Sequence, residues 1–271
     1  VDRQIVRAFR LHEAVRDEIL FAFVPEERRG EVTRLAYDRL PANYGPGGRG
    51  FEGGLLPWEV ASLELMNVRR GSRVLVGGVG GGRELSGLCE MGCRIVAFDP
   101  SPALTDAASR VGERLGIPVY RASYEDFVEA EARRDGPLAR LLGPHDAVVL
   151  GRGSFGHLTH DAQQLALLRA LRRSSPEAPV LLSFETRSAD DQGESLTVRR
   201  ALRAVFGRVG GQPVPAGLRY DTRRGFVYQF TEPELLDLSR RAGYRVAVFE
   251  RSPYALRGGR PPAHAVLVPD G

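Results

Sequence analysis

The chain of 271 residues is 42% hydrophobic and 27% charged, proportions that suit one large globular domain and exclude a disordered or fibrous chain. No apolar run approaches the ~20 residues that span a bilayer, which excludes a helical membrane protein. The net charge of +4 comes from 38 basic residues, all arginine, interspersed with acids as in EARRDGPLAR, so no nucleic-acid partner is expected.

Residues 3–20 place Ile5, Val6, Phe9, Leu11, Val15, Ile19 and Leu20 at helical spacing, and residues 29–40 are again helical in pattern. Charges run through the first segment where a signal peptide would have an uninterrupted apolar centre, so a cytoplasmic protein is expected. The next stretch, PANYGPGGRGFEGGLLPWE, is rich in Gly and Pro yet carries Tyr44, Phe51 and Trp58. Aromatic side chains on such a segment predict either a lid over a ligand or packing against the core. Residues 1–70 are thus read as N-terminal helices and a lid segment, ahead of a domain over residues 71–271.

From Arg73 onward, short apolar strands (RVLVGG, RIVAFDPS, PVYRAS, HDAVVLGRG, APVLLSFETR) alternate with helical segments. Continuous apolar strands in that alternation predict βαβ units and a parallel sheet covered on both faces. Cys89 and Cys93, near the end of the first of these helices, read as small apolar residues in a reducing compartment, not as a disulfide or a zinc site. An insertion over residues 188–229 follows, with a helix near residues 196–206 and a hairpin around LRYDTRRGFVYQF. In TEPELLDLSRRAG, Thr231 is placed as N-cap, Glu234 completes a capping box and Gly243 ends the helix. YRVAVFE and AHAVLVP supply two closing strands.

VLVGGVGGGREL puts five glycines into six consecutive positions between the first of these strands and its helix. Open α/β sheets bind ligands at such crossovers, beyond the strand C-termini. Asp99 ends the next strand, placed to take the two hydroxyls of a ribose. A dinucleotide fingerprint G-x-G-x-x-G does not fit: begun at Gly78 its third glycine falls on Arg83, and begun at Gly77 its second falls on Val79. G-x-G-x-G does fit, at Gly78, Gly80 and Gly82.

That pattern resembles motif I of the class I S-adenosylmethionine-dependent methyltransferases, and the resemblance extends from about Tyr37 to the C-terminus. It implies an α/β, Rossmann-like seven-stranded sheet, mostly parallel with an antiparallel last strand. A helical N-terminal extension and a cap insertion after strand five complete the expected fold. The implied cofactor is S-adenosylmethionine, with S-adenosylhomocysteine as product. Its implied contacts are Gly78, Gly80, Gly82, Asp99 and Pro100; Ser123 and Tyr124 in ASYEDF; Gly151, Arg152 and Gly153 in DAVVLGRGSFGHL; and Tyr37 and Tyr44 of YDRLPANY. Two positions depart from the family pattern. Val76 stands where an acid commonly engages the methionyl ammonium, and Ser123 where an acid commonly meets the adenine amine.

Methyl transfer from a sulfonium is an in-line displacement, and a hydroxyl acceptor must also lose its proton. His157 in GSFGHL, just beyond the fourth strand, is the candidate base, with a helix-capping or packing role as the alternative. As a base it would titrate near the ordinary imidazole value of ~6.5. His160 reads as the start of the following helix, and His12, His145 and His264 as structural. The candidate substrate-contacting residues are Phe51, Trp58, His157, Tyr220 and Tyr228. Arg83 and Glu84 open a helix and read either as surface residues or as part of the cofactor site, an acid near a helix N-terminus being favourable for both readings. No metal is expected, because the fourth strand ends VVLGRGS without acidic ligands. The expected activity is methylation of a small molecule, most simply on oxygen and in secondary metabolism, by a monomer or homodimer. An RNA or protein methyltransferase and a non-catalytic cofactor-binding protein are the alternatives. The first of these lacks its Asn/Asp-Pro-Pro-aromatic motif here.

Overall fold

The computed structural model describes residues 3–39, 41–48, 51, 54–187, 215, 217–251 and 262–271. Among the described residues four α-helices precede the sheet: α1 (Arg3–Phe23), α2 (Arg29–Asp38), the one-turn α3 (Pro41–Tyr44) and α4 (Pro57–Leu65). Strands and helices then alternate as β1 (Arg73–Gly77), α5 (Arg83–Glu90), β2 (Arg94–Asp99), α6 (Pro102–Leu115), β3 (Val119–Arg121), α7 (Tyr124–Arg133), β4 (Ala147–Leu150), α8 (Asp161–Ser174) and β5 (Val180–Thr186). A hairpin, β6 (Leu218–Asp221) and β7 (Gly225–Phe230), leads into α9 (Glu232–Arg241) and the closing pair β8 (Tyr244–Arg251) and β9 (Pro262–Pro269).

Strands β3, β2, β1, β4 and β5 lie side by side and parallel. β9 runs antiparallel along β5, and β8 flanks it. The expected seven-stranded sheet with an antiparallel last strand is therefore present, in the order β3-β2-β1-β4-β5-β9-β8. The hairpin adds to it at one point. Glu185 pairs with Pro262 of β9 and also with Gln229 of β7, so β7 takes the edge of β5 beyond the end of β4. The rest of the insertion, residues 188–214 and 216, lies outside the described residues, and with it the helix expected near residues 196–206.

The strands read as continuous apolar runs because both faces are covered. On one face Leu75, Phe98, Val148, Leu150 and Phe184 pack with Phe127, Leu168 and Leu235 of α7, α8 and α9. On the other, Val74, Val76, Val149 and Leu181 pack with Leu63, Leu85, Leu88 and Ala108 of α4, α5 and α6. Each fully buried leucine or phenylalanine contributes about 1.5–3 kcal/mol relative to exposure. A smaller cluster of Phe21, Leu218 and Phe226 joins α1 to the hairpin.

Local signals set the helix ends. Ser101 caps α6 by accepting the Leu104 N–H, with Pro102 in its first turn, and the left-handed Gly116 ends it. Thr231 and Glu234 form the expected capping box on α9, and Gly243 follows that helix at φ 83°. α2 is held over the hairpin by the Phe226 N–H, which donates to Thr33 Oγ1 at 3.0 Å.

Candidate functional site

The C-terminal ends of β1, β2, β4 and β5 open into a cleft of ≈ 1630 Å³, walled by α2, α3, the segment after β4 and the hairpin turn. Tyr37, Tyr44, Gly78, Gly80, Asp99, Pro100, Ser123, Tyr124, Arg152, Gly153 and His157 all line it. Gly82 and Gly151 stand behind the lining. Gly82 caps α5 at φ 94°, against Ala108 of α6, and Gly151 lies against the Gly78 carbonyl.

The glycine loop meets two different neighbours. A Cβ on Gly81 would run into the Tyr44 carbonyl, so this glycine is required by the protein's own α3. Gly80 has φ 57°, a left-handed conformation that favours glycine, and a Cβ there would meet no protein atom. The loop thus presents bare backbone to the cleft beside Asp99. The Asp99 carboxylate is held in place by two backbone donors: Gly80 N–H to Oδ2 at 2.8 Å and Ser101 N–H to Oδ1 at 2.9 Å. Burial pushes its pKa up to about 6, against the pull of those two N–H groups. Ser101 also bonds Asp38 through its hydroxyl at 2.5 Å, tying α2 to the end of β2. A carboxylate oriented beside open backbone fits the ribose of an adenosyl cofactor.

Ser123 caps α7 in a reciprocal pair with Asp126, so its side chain has a helix-end role as well as a place in the cleft wall. The Tyr124 hydroxyl lies 2.6 Å from Ser154 Oγ, which donates in turn to the Gly151 carbonyl at 2.7 Å. The loops after β1, β3 and β4 are locked together through these atoms, because Tyr124 also reaches the Gly77 carbonyl at 3.2 Å. Burial raises the Tyr124 pKa and keeps its phenol protonated.

His157 Nδ1 is 2.9 Å from the Phe226 carbonyl, which can only accept, so Nδ1 carries the proton. Nε2 is then an acceptor, and the Tyr37 hydroxyl lies 2.8 Å from it. Burial pushes the His157 pKa down to about 4, so the ring is neutral at pH 7. The expected titration near ~6.5 is corrected accordingly: the imidazole is half-buried against Tyr37 and the hairpin, and its charged form is less well hydrated there than in water. Tyr37 is itself held well above its ordinary pKa by burial.

The expected substrate wall is placed differently. Trp58 stacks on His264 with ring centroids 4.5 Å apart, and Phe51 packs into the same apolar cluster, on the sheet face covered by α4, α5 and α6. Tyr220 sits edge-on to Phe226 at 5.2 Å, beneath Arg16. Tyr228 packs edge-on against Phe230 at 4.8 Å and donates its hydroxyl to Glu234 at 3.3 Å. None of these four lines the cleft, where Ser183, Glu185, Asp221, Arg223 and Arg224 stand instead. Arg224 is paired with Glu185 and, at 3.3 Å, with Asp221. The sequence reading missed these residues because neither the apolar run of β5, which holds Ser183 and Glu185, nor the hairpin turn, which holds Asp221, Arg223 and Arg224, says which side chains meet the cleft. Of the two readings open for Arg83 and Glu84, the surface one does not hold: they are 6% and 3% exposed, buried in the cleft wall. Their position directly after Gly82 was the available signal.

No family model matches the sequence, and no curated protein is similar to it. Solved structures do match. The 1,6-didemethyltoxoflavin-N1-methyltransferase of Burkholderia thailandensis, with bound 1,6-didemethyltoxoflavin and S-adenosylhomocysteine, is 18% identical over 88% of both chains, with a TM-score of 0.59. A SAM-dependent methyltransferase from Methanosarcina mazei is 14% identical over 80% of this chain and 98% of its own, at a TM-score of 0.56. Magnesium protoporphyrin IX methyltransferase from Synechocystis PCC 6803, with bound S-adenosylhomocysteine, is 16% identical over 89% and 97%, at 0.54. The fold is that of the class I methyltransferases. Among the described residues no helix is long and apolar enough to cross a membrane.

Proposed function

We propose that the protein is an S-adenosylmethionine-dependent methyltransferase that acts on a hydroxyl of a small molecule. The observation that carries the cofactor assignment is the Asp99 carboxylate, fixed by two backbone N–H groups beside the bare backbone of Gly80. Asp99 takes the ribose hydroxyls, and Gly80 allows close approach of the amino-acid tail. Tyr37 and Tyr44 wall the side of the cleft toward the acceptor. When bound, the cofactor supplies an electrophilic methyl group on a sulfonium. Two of the structural neighbours act on small molecules, a didemethyltoxoflavin and a magnesium protoporphyrin, which supports a small acceptor here.

The choice of oxygen rests on Tyr37 and His157. The Tyr37 oxygen has lone pairs left for a donor in the cleft, since its own proton is directed at His157 Nε2. As an acceptor hydroxyl loses its proton to the Tyr37 oxygen, the Tyr37 proton passes to Nε2, and the phenol is left neutral. A neutral imidazole is ready for that proton, and the forming, methylated oxygen is acidic enough to release it. The test of the cofactor assignment is titration calorimetry. Wild type should bind S-adenosylhomocysteine and not NADH, and Asp99→Ala should bind it at least tens of times more weakly, as for loss of hydrogen bonds to a charged group. Preference for NADH would overturn the assignment.

A further inference from the structure

We propose that Glu84, backed by Glu59 and Arg83, is the site for the primary ammonium of the cofactor's amino-acid tail; this rests on the cofactor assignment above. Glu84 is the second residue of α5, directly after the glycine loop, and it lines the cleft. Arg83 reaches Glu59 through both guanidinium ends, at 2.5 and 2.8 Å, and Glu84 Oε1 at 2.7 Å. All three side chains are at most 6% exposed. Two carboxylates therefore share one guanidinium, and the buried group is short of one positive charge.

The shortage falls on Glu84. Glu59 is saturated: both its oxygens meet Arg83, and Oε2 also accepts the Leu56 N–H at 2.7 Å. Arg83 spends a further donor on the Gly54 carbonyl. Among the described side chains Glu84 bonds Arg83 alone, its carboxylate drawing otherwise on its own backbone N–H, and of the two carboxylates only Glu84 lines the cleft. A carboxylate in low dielectric without full compensation is costly, and a cation with three N–H donors is the chemistry that relieves it. Burial raises the pKa of Glu84 and, foremost, that of Asp99, to which the Glu84 charge adds, so a cation at Glu84 would ease both groups. β1 offers no alternative, because Val76 is fully buried in the apolar cluster behind the loop.

The experiment compares two probes by titration calorimetry: S-adenosylhomocysteine, which has the ammonium, and 5′-methylthioadenosine, which keeps the adenosine and sulfur but lacks the amino-acid group. Glu84→Gln should weaken S-adenosylhomocysteine at least 10-fold and leave 5′-methylthioadenosine within about twofold of wild type, the size expected for loss of a charge-assisted hydrogen bond. Equal affinities of the variant and wild type for S-adenosylhomocysteine would overturn the proposal, as would equal weakening of both probes, which marks a purely structural role. Should Glu84→Gln not fold, Glu84→Asp retracts the charge by one methylene and is read by the same two ratios. Wild type that binds neither probe overturns the cofactor assignment itself, a result distinct from any of these.

Discussion

The Tyr37 hydroxyl lies 2.8 Å from His157 Nε2, joining α2 to a residue 120 positions further along the chain. With Nδ1 committed to the Phe226 carbonyl, the neutral ring has one tautomer, and burial disfavours a second proton on Nε2. Its pKa is depressed from ~6.5 to about 4, so its contribution to stability is present above pH ~6.5 and is lost as pH falls toward 4. His157→Gln should therefore flatten the decline of unfolding free energy between pH 6.5 and 4, by up to ~1.4 kcal/mol per pH unit. His145, also near 4, is common to both proteins and cancels in the difference. Denaturant titrations at pH 7, 6 and 5 measure it, and parallel slopes would contradict the assignment.

The same pair governs turnover if the acceptor is a hydroxyl. Tyr37→Phe and His157→Ala should each lower kcat by roughly 10²- to 10⁴-fold, the range for loss of general-base assistance, with S-adenosylhomocysteine affinity nearly unchanged. The wild-type rate should show no inflection near pH 6.5 from this group, because it is already deprotonated there. A pH–rate profile with an inflection at that value, abolished in His157→Ala, would show that the imidazole titrates in water after all.

Asp99 titrates with the opposite consequence. Its pKa is raised to about 6, so in the free protein it contributes stability that is full below pH ~3.9 and lost as pH rises through 6. Ribose hydroxyls are held more strongly by the carboxylate than by the acid, so S-adenosylhomocysteine affinity should fall as pH drops through 6. Calorimetry at pH 5, 6 and 7.5 should show this fall in wild type and a reduced slope in Asp99→Asn.

Gly81 tests the contact between the N-terminal arm and the glycine loop. A methyl group there has no room beside the Tyr44 carbonyl. Gly81→Ala should displace α3, with an overpacking cost of about 1–3 kcal/mol, and speed amide exchange over residues 41–48. Unchanged exchange over those residues would mean that the arm is not seated on the loop.

Trp58 separates packing from substrate contact. Stacked on His264, it should behave as a structural residue: Trp58→Ala is expected to cost on the order of 1–3 kcal/mol in stability and to leave S-adenosylhomocysteine affinity unaltered. A variant of wild-type stability with a raised KM for the acceptor would return Trp58 to the substrate wall.

The sequence by itself determined the alternation of strands and helices, the capping box at Thr231 and Glu234, the glycine loop and the acid at Asp99. These are local: they follow from apolar periodicity, from hydrogen bonds three residues apart, and from the steric freedom of glycine at a crossover. Only the tertiary structure decided which side chains share the cleft. Tyr37 meets His157, Arg83 meets Glu59, and Glu185 meets Arg224 across 120, 24 and 39 positions, through contacts that no period encodes. The same limit explains Trp58, Tyr220 and Tyr228, where an aromatic in a loop or hairpin reads alike whether it turns to the core or to a ligand. Burial decided the charges too: His157 is half-buried against Tyr37 and the hairpin, and Glu84 is 3% exposed beside a guanidinium it shares with Glu59, and burial is a property of the folded molecule.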